Sequence, residues 1–530
     1  MEYKVKEAMS TQTSDNNKRI AKNTFILYVR MLFTVFISLY TARLVLDKLG
    51  AEDYGIYNVV GGVVTMMWMF NGALQSSTTR NITFELGRRN FERLNKVFGN
   101  ALSIHGLLSL AILLICETIG LWFVCTKLTI ASDRMIAAQW VYQTSILSMV
   151  ISVMSVPFNA AIVAYEKMSI YSYISILDVV LKLLIVFVLD WSSLDRLVLY
   201  SVLMLATQFV VQGCYALYSI MKLPQIRLSF QYDKLIFKNM FSFAGWNLIG
   251  TSAALLMTTG HNIILNQFFG PLVNAAKGIA NTVLSKVGSL STSFQMALNP
   301  QIYKSYATGN IEYMHKLIFA SSKFSYFLIF IISLPIIVET ENILGFWLKE
   351  VPNYTIGFVR LLLLTTAVNA LCNPQVIAAQ ATGNIKKFQL VEAFVFIMVL
   401  PLTWVVLKMG YSPISAFYVY LFMHIIVFVV HAVLLRKMIR LSLKTYLFYV
   451  VNPIVAVSVL MTVLGFGIHY FILPKSIVSS LAICITILIL SVLAFYFLGL
   501  RNNEKRMIIN KINIILHKLK KSWNRYSIIR

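Results

Sequence analysis

A lysine in the middle of an apolar run is the residue of this sequence that most demands a chemical reason. Lys286 stands about a dozen residues from either end of a stretch long enough to cross roughly 30 Å of hydrocarbon, too deep for its ammonium to reach water along its own stem. Around it Asn274, Lys277, Asn281, Ser285, Gly288, Thr292, Gln295 and Asn299 step by three or four, so a helix gathers all eight on one face. Shorter stripes run through Arg30, Thr34, Ser38 and Thr41, through Asn58, Thr65, Gly72, Gln75 and Thr79, and through Asn247, Thr251, Thr258 and Asn262. Amides and cations in that pattern suit a wet, positively charged path for an anionic polar cargo, and the Arg30 guanidinium matches phosphate oxygens two at a time. Hydroxyl and glycine stripes alone are equally explained as close packing between helices. The candidate substrate-binding residues are therefore Arg30, Gln75, Asn247, Asn262, Lys277, Asn281, Lys286 and Gln295.

Acids inside apolar runs carry a second kind of chemistry. Asp178 and Lys182 lie four apart and form an intrahelical ion pair on one reading; on the other, Asp178 binds a coupling cation or proton. Glu117 and His261 are further ion-coupling candidates, the imidazole because it titrates near neutral pH. His424 and His431 lie seven apart, and nothing completes a metal set around them. The five cysteines fall in or beside apolar stretches without a CxxC pair and read as small fillers. No GxSxG, Walker loop, HExxH or extramembrane carboxylate pair is present, so neither an enzyme nor a cofactor is expected.

The elements that position these residues follow from composition. The chain has 530 residues, 58% of them hydrophobic and 13% charged, with a mean hydropathy of +0.74. That is too little charge to clothe a soluble particle, and it excludes disorder and a disulfide scaffold. Uninterrupted apolar runs disfavour an outer-membrane barrel, whose strands alternate. About fourteen such runs lie between residues 24 and 499, predicting an all-α polytopic membrane protein with both termini on one side. With the N-terminus cytoplasmic, about 32 of the 46 Lys and Arg fall in inner segments, so the net charge of +25 faces anionic membrane lipids rather than nucleic acid. After residue 500, Ile508, Ile512, Ile515, Leu516, Leu519 and Trp523 alternate with lysines as in an amphipathic helix on the inner surface.

An internal repeat near an offset of 220 organises the runs. Gly50 falls on Gly270, Gln75 on Gln295 and Asn90 on Asn310, and Pro157 and Ala164 fall on Pro374 and Ala381. The expected layout is a cytoplasmic segment (1–23), a six-helix lobe (24–221), a cytoplasmic linker (222–240), a second six-helix lobe (241–436) related by a pseudo-two-fold axis, two further helices (445–499) and a basic tail (500–530). Parallel repeats of this kind build alternating-access transporters with the cargo site between the halves.

The stretch KNTFILYVRMLFTVFISLYTARLVLDKLGAEDYGIYNVVGGVV followed by ALQSSTTRNITFELGRRN resembles bacterial polysaccharide flippases of the Wzx type. Its most specific elements are Leu49, Gly50, Tyr54, Gly55 and Tyr57, the Gln75-to-Arg80 helix exit and the P-x-x-A stretch after Pro157. Those flippases share a superfamily with multidrug-and-toxin extrusion transporters. The resemblance implies a bacterial inner-membrane protein that moves an undecaprenyl-pyrophosphate-linked oligosaccharide to the outer leaflet; with no room for a nucleotide-binding domain, an H+ or Na+ gradient, the membrane potential or downstream consumption of the substrate is expected to drive it. A cation-coupled multidrug antiporter of the same superfamily is the alternative, and a polytopic glycan polymerase or ligase the third.

Overall fold

The computed structural model describes residues 2–505 except 66, 67, 129, 192, 224, 228–231, 349, 473–475 and 503, with side chains from residue 19 onward apart from 51 and 65–69. The amphipathic helix expected around Ile508–Trp523 lies outside the described residues. Within them the chain is helical and contains no strand, as hydrocarbon requires of a backbone that must satisfy its own hydrogen bonds.

The first bundle holds α1 (Glu2–Thr65), α2 (Trp68–Arg88), α3 (Phe91–Ile115), α4 (Leu121–Lys127), α5 (Met135–Ala164), α6 (Met168–Val188) and α7 (Arg196–Lys222). The second holds α8 (Lys234–Phe269), α9 (Pro271–Ala307), α10 (Ile311–Val338), α11 (Thr340–Trp347), α12 (Thr355–Thr382), α13 (Lys386–Lys408) and α14 (Pro413–Ile439). Last come α15 (Leu443–Tyr446), α16 (Asn452–Ile472) and α17 (Ile477–Ala494), which pack beside α10 at the flank of the second bundle. A π-helical turn, Cys116–Gly120, joins α3 to α4.

Among the described residues, twelve helical stretches are long and apolar enough to cross a membrane. Two more runs expected to span fall on helices of greater polarity: residues 51–65 with α2, and the 37-residue α9. Both carry polar stripes, and the other two stripes lie in Arg19–Gly50 and Lys234–Phe269, which remain apolar enough to cross.

The duplication is written into the backbone. Gly50 (φ 79°, ψ 166°) breaks α1, and Gly270 (φ 76°, ψ −174°) separates α8 from α9 in nearly the same conformation. Asn90 caps α3 by accepting from the Arg93 amide at 3.1 Å, and Asn310 caps α10 by accepting from the Tyr313 amide at 3.1 Å. Arg89 and Gly309, and Glu166 and Gly383, are matched left-handed residues after helix ends. The φ/ψ region of Gly270 admits glycine almost alone, and an added Cβ there would meet no atom within 4 Å. Gly270→Ala is therefore expected to destabilise by backbone strain only, about 1–3 kcal/mol, read as a lowered thermal midpoint of the purified protein.

Arg134 fixes one end of the first bundle. Its guanidinium donates to Asp53 at 2.9 Å and also to Asp195, joining the starts of three helical stretches. Hydrogen bonds to those carboxylates hold the Arg134 guanidinium above its usual range. Burial alone would raise Asp195, but Arg134 and the Val198 and Leu197 amides hold it below the usual carboxylate range.

Candidate functional site

The two bundles touch chiefly at the end where α2, α5, α9 and α12 finish. Two contact sets close that end. In one, the buried Glu166 carboxylate, just past α5, accepts from Gln301 of α9 at 2.8 Å and pairs with Lys304 of α9, while Arg19 lies 3.2 Å from its other oxygen. Asn23 of α1 donates to the Glu166 carbonyl at 3.3 Å. In the other, Arg80 of α2 stacks on Phe84 and donates to the Ala381 carbonyl of α12 at 3.0 Å. Ser76 and Tyr303 each donate to the Gln380 side-chain carbonyl at 2.8 Å, and Asn247 donates to the Ala73 carbonyl at 3.3 Å. Glycine permits the tightest crossing, because a Cβ on Gly87 would stand 3.0 Å from Ala307 Cβ and 3.2 Å from Lys304 Cα.

Away from this latch the bundles part. Ser289 of α9 reaches Met31 of α1 at 3.3 Å. Beyond that contact, Ser38 and Ala42 follow Met31 on its own side of α1, and Ser285, Thr282 and Gly278 precede Ser289 on its side of α9; all five are exposed. Beyond the Met31–Ser289 contact these faces make no hydrogen bond or ion pair across the bundles among the described residues, and the space between them is the candidate cleft.

The sequence-predicted residues divide around this cleft. Asn281 and Lys286 are exposed, Lys286 one turn from Ser289 on the side of α9 turned to the first bundle. Asn262 is also exposed, and Gln75 is half-buried. Lys277 and Gln295 instead turn into the second bundle. Gln295 donates to Ser325 at 3.0 Å and to the Ala370 carbonyl at 3.2 Å and accepts from Asn373 at 2.9 Å, so its amide is spent on packing. Lys277 is buried with its Nζ 2.9 Å from His261 Nδ1. The stripe on α9 thus straddles the edge of the cleft: steps of three or four residues spread it over about a quarter-turn, and only part of it faces water. Asn247 belongs to the latch, where it also accepts from Gln380 at 3.3 Å.

In the first bundle Arg30 lies over the Tyr171 ring and donates to Ser175 at 3.5 Å, away from the cleft face of α1. Asp178 accepts from Lys182 at 2.8 Å, the intrahelical pair. Glu117 sits in the π-helical turn and accepts from Gln143 at 3.1 Å. Beside Lys182 opens a cavity of about 320 Å³ whose lining mixes Asn58, Ser145 and Gln208 with Val64, Met149 and Met204. Sequence reasoning missed Glu166, Lys304 and Arg80 as a group. A charged residue just outside an apolar run looks like an interface anchor, and only the crossing of α5, α9 and α12 reveals the partners. No group of three or more His, Cys, Asp or Glu able to hold a metal ion occurs among the described residues.

No family model and no curated protein matches this sequence. Solved structures do. One is an outward-facing multidrug resistance MATE family transporter of the MOP superfamily, with a TM-score of 0.70 and 13% identity over 80% of this chain and 96% of that one. A MATE in the bent conformation gives 0.71 and 14% over 82% and 97%. A MOP superfamily transporter from Pyrococcus furiosus, described as having a binding pocket of reverse polarity, gives 0.66 and 12% over 79% and 96%. The chain has the fold of these transporters.

Proposed function

We propose that the protein is an alternating-access transporter that exports an amphiphilic solute through the cleft between its bundles. The observation that carries this is an exposed face of α9 beyond a set of inter-bundle contacts gathered at one end, on a fold whose named neighbours are transporters. Two cargo classes compete. The comparisons support a multidrug exporter more directly than a lipid-linked oligosaccharide flippase, since multidrug resistance is what the neighbours' descriptions name. One local observation favours the second: the charge on the α9 cleft face is Lys286, and a cationic drug calls for a carboxylate, whereas pyrophosphate calls for a cation. Flux into proteoliposomes separates them, with a fluorescent cationic dye in one arm and a short-chain prenyl-pyrophosphate-linked sugar in the other. Transport of neither would overturn the exporter reading.

The positive-inside distribution supports a cytoplasmic latched end, and on that reading this conformation is outward-open. In cells carrying single-cysteine variants, an impermeant thiol reagent added outside should label positions in 350–354 and spare positions in 221–227. The reverse pattern would invert the orientation.

A further inference from the structure

Lys277 is the cation in the second bundle that the cleft leaves unexplained. It sits about 9 Å along α9 from Pro271 at 1.5 Å per residue, with 6% of its surface exposed, and forms no ion pair among the described residues. Its one polar side-chain partner is His261 of α8, which is fully buried. A buried ammonium costs several kcal/mol unless a counter-charge or a change of protonation relieves it, so an intramembrane lysine without a carboxylate calls for a function.

The geometry points to the Lys277–His261 pair as a proton-binding site that couples proton uptake to movement of α9. His261 Nε2 lies 3.4 Å from the Ala416 carbonyl of α14, which places the imidazole proton on Nε2 and leaves Nδ1 as the acceptor. Lys277 donates to that Nδ1 at 2.9 Å. Two positive groups cannot share this spacing inside an apolar box, so the pair holds at most one excess proton while the packing stays as it is. The box is aromatic: the Phe417 and Tyr420 rings lie 5.1 and 5.5 Å from the imidazole, and Phe358 of α12 stacks behind Phe417.

Other titratable and charged groups surround the pair. From α14 the facing groups are Tyr420 and, behind its ring, His424. On α9, Lys286 points half a turn away from Lys277, and Asn274, one turn back, has a buried side-chain oxygen without a hydrogen-bond partner. Arg360 of α12 is bound to the Ile337 carbonyl of α10, Lys408 of α13 lies over Trp404, and Glu392 of α13 is 3.2 Å from His431. The charged form gains water only if the start of α9 moves away from α14, so protons should favour a conformation other than this one. A ligand shifts such an equilibrium only by its differential affinity for the two states, and for one proton the limit is tenfold in population ratio per pH unit.

This inference rests on the transporter reading for its purpose, but its test needs no cargo. Spin labels on the open ends of α1 and α9 in the full-length protein in lipid nanodiscs report the inter-bundle distance between pH 8.5 and 5.5. Wild type should change population with a slope of one proton, and Lys277→Met and His261→Gln should each abolish the change. An identical pH response in either folded variant overturns the assignment. Should both variants fail to accumulate, ¹⁵N-imidazole spectra of the wild type decide. A single buried histidine must show a neutral Nε2–H tautomer with an acceptor shift at Nδ1, and its absence overturns the assignment. Failure here with successful flux would leave the transporter standing and place its coupling elsewhere.

Discussion

Glu166→Gln is expected to open the latched end. The carboxylate is almost fully buried and balances Lys304 from the opposite bundle and Arg19 from α1. An amide keeps the volume and one hydrogen bond to Gln301 but leaves two cations facing each other. Removing one partner of a buried ion pair costs roughly 3–5 kcal/mol, and Lys304 is 23% exposed, so solvent screening brings the figure to about 3 kcal/mol. All of that falls on the closed arrangement, since the pair bridges the bundles, and it amounts to about a hundredfold in population. The readout is maleimide labelling of Ala297→Cys in a background lacking the five native cysteines. Position 297 is buried in the closed contact with Leu27, Val163 and Met168. Labelling should accelerate by one to two orders of magnitude in the Glu166→Gln protein; an unchanged rate would show that the latch is held by the Arg80 side alone.

The second large effect concerns cargo. Lys286→Glu should leave the thermal midpoint nearly unchanged, because an exposed side chain contributes within about 0.5 kcal/mol to folding. Transport of a pyrophosphate-headed probe should nevertheless fall at least tenfold. A cation about 4 Å from a phosphate at an effective dielectric of 20 is worth about 4 kcal/mol, and reversal turns that attraction into repulsion. If the same variant extrudes a cationic dye faster while wild type ignores the anionic probe, the multidrug reading replaces the flippase reading.

Much of the architecture was legible because bilayers leave the backbone few choices. The glycine at 50 and its repeat at 270 and the asparagine caps at 90 and 310 each mark a place where a helix starts or stops, the prolines at 157 and 374 lie inside α5 and α12, and all occupy matched positions in the fold. The polar stripe of α9 was legible too. Its orientation was not, because a stripe read at three- and four-residue steps fixes a face only to within about a quarter-turn. That margin separates the exposed Asn281 from Lys277 and Gln295 in the packed interior. The union of Lys277 with His261 is hidden in the sequence for a related reason: each belongs to its own helix, and the hairpin at Gly270 that sets them side by side fixes no rotation about either axis. Glu166 was invisible because its partners lie 135 and 138 residues downstream.

The two contact sets at the closed end occupy corresponding places in the duplicated halves: one joins the finish of α5 to that of α9, the other the finish of α12 to that of α2. Symmetry of the frame is not matched by symmetry of the fastening. One fastener is ionic and answers to the charge on its carboxylate; the other is a guanidinium on a backbone carbonyl and does not. A door built this way has a bolt on one edge and a hinge on the other. It would swing from the Glu166 edge first when that carboxylate is neutralised, whereas its burial shields the pair from salt, and the Arg80 seam would keep the halves aligned.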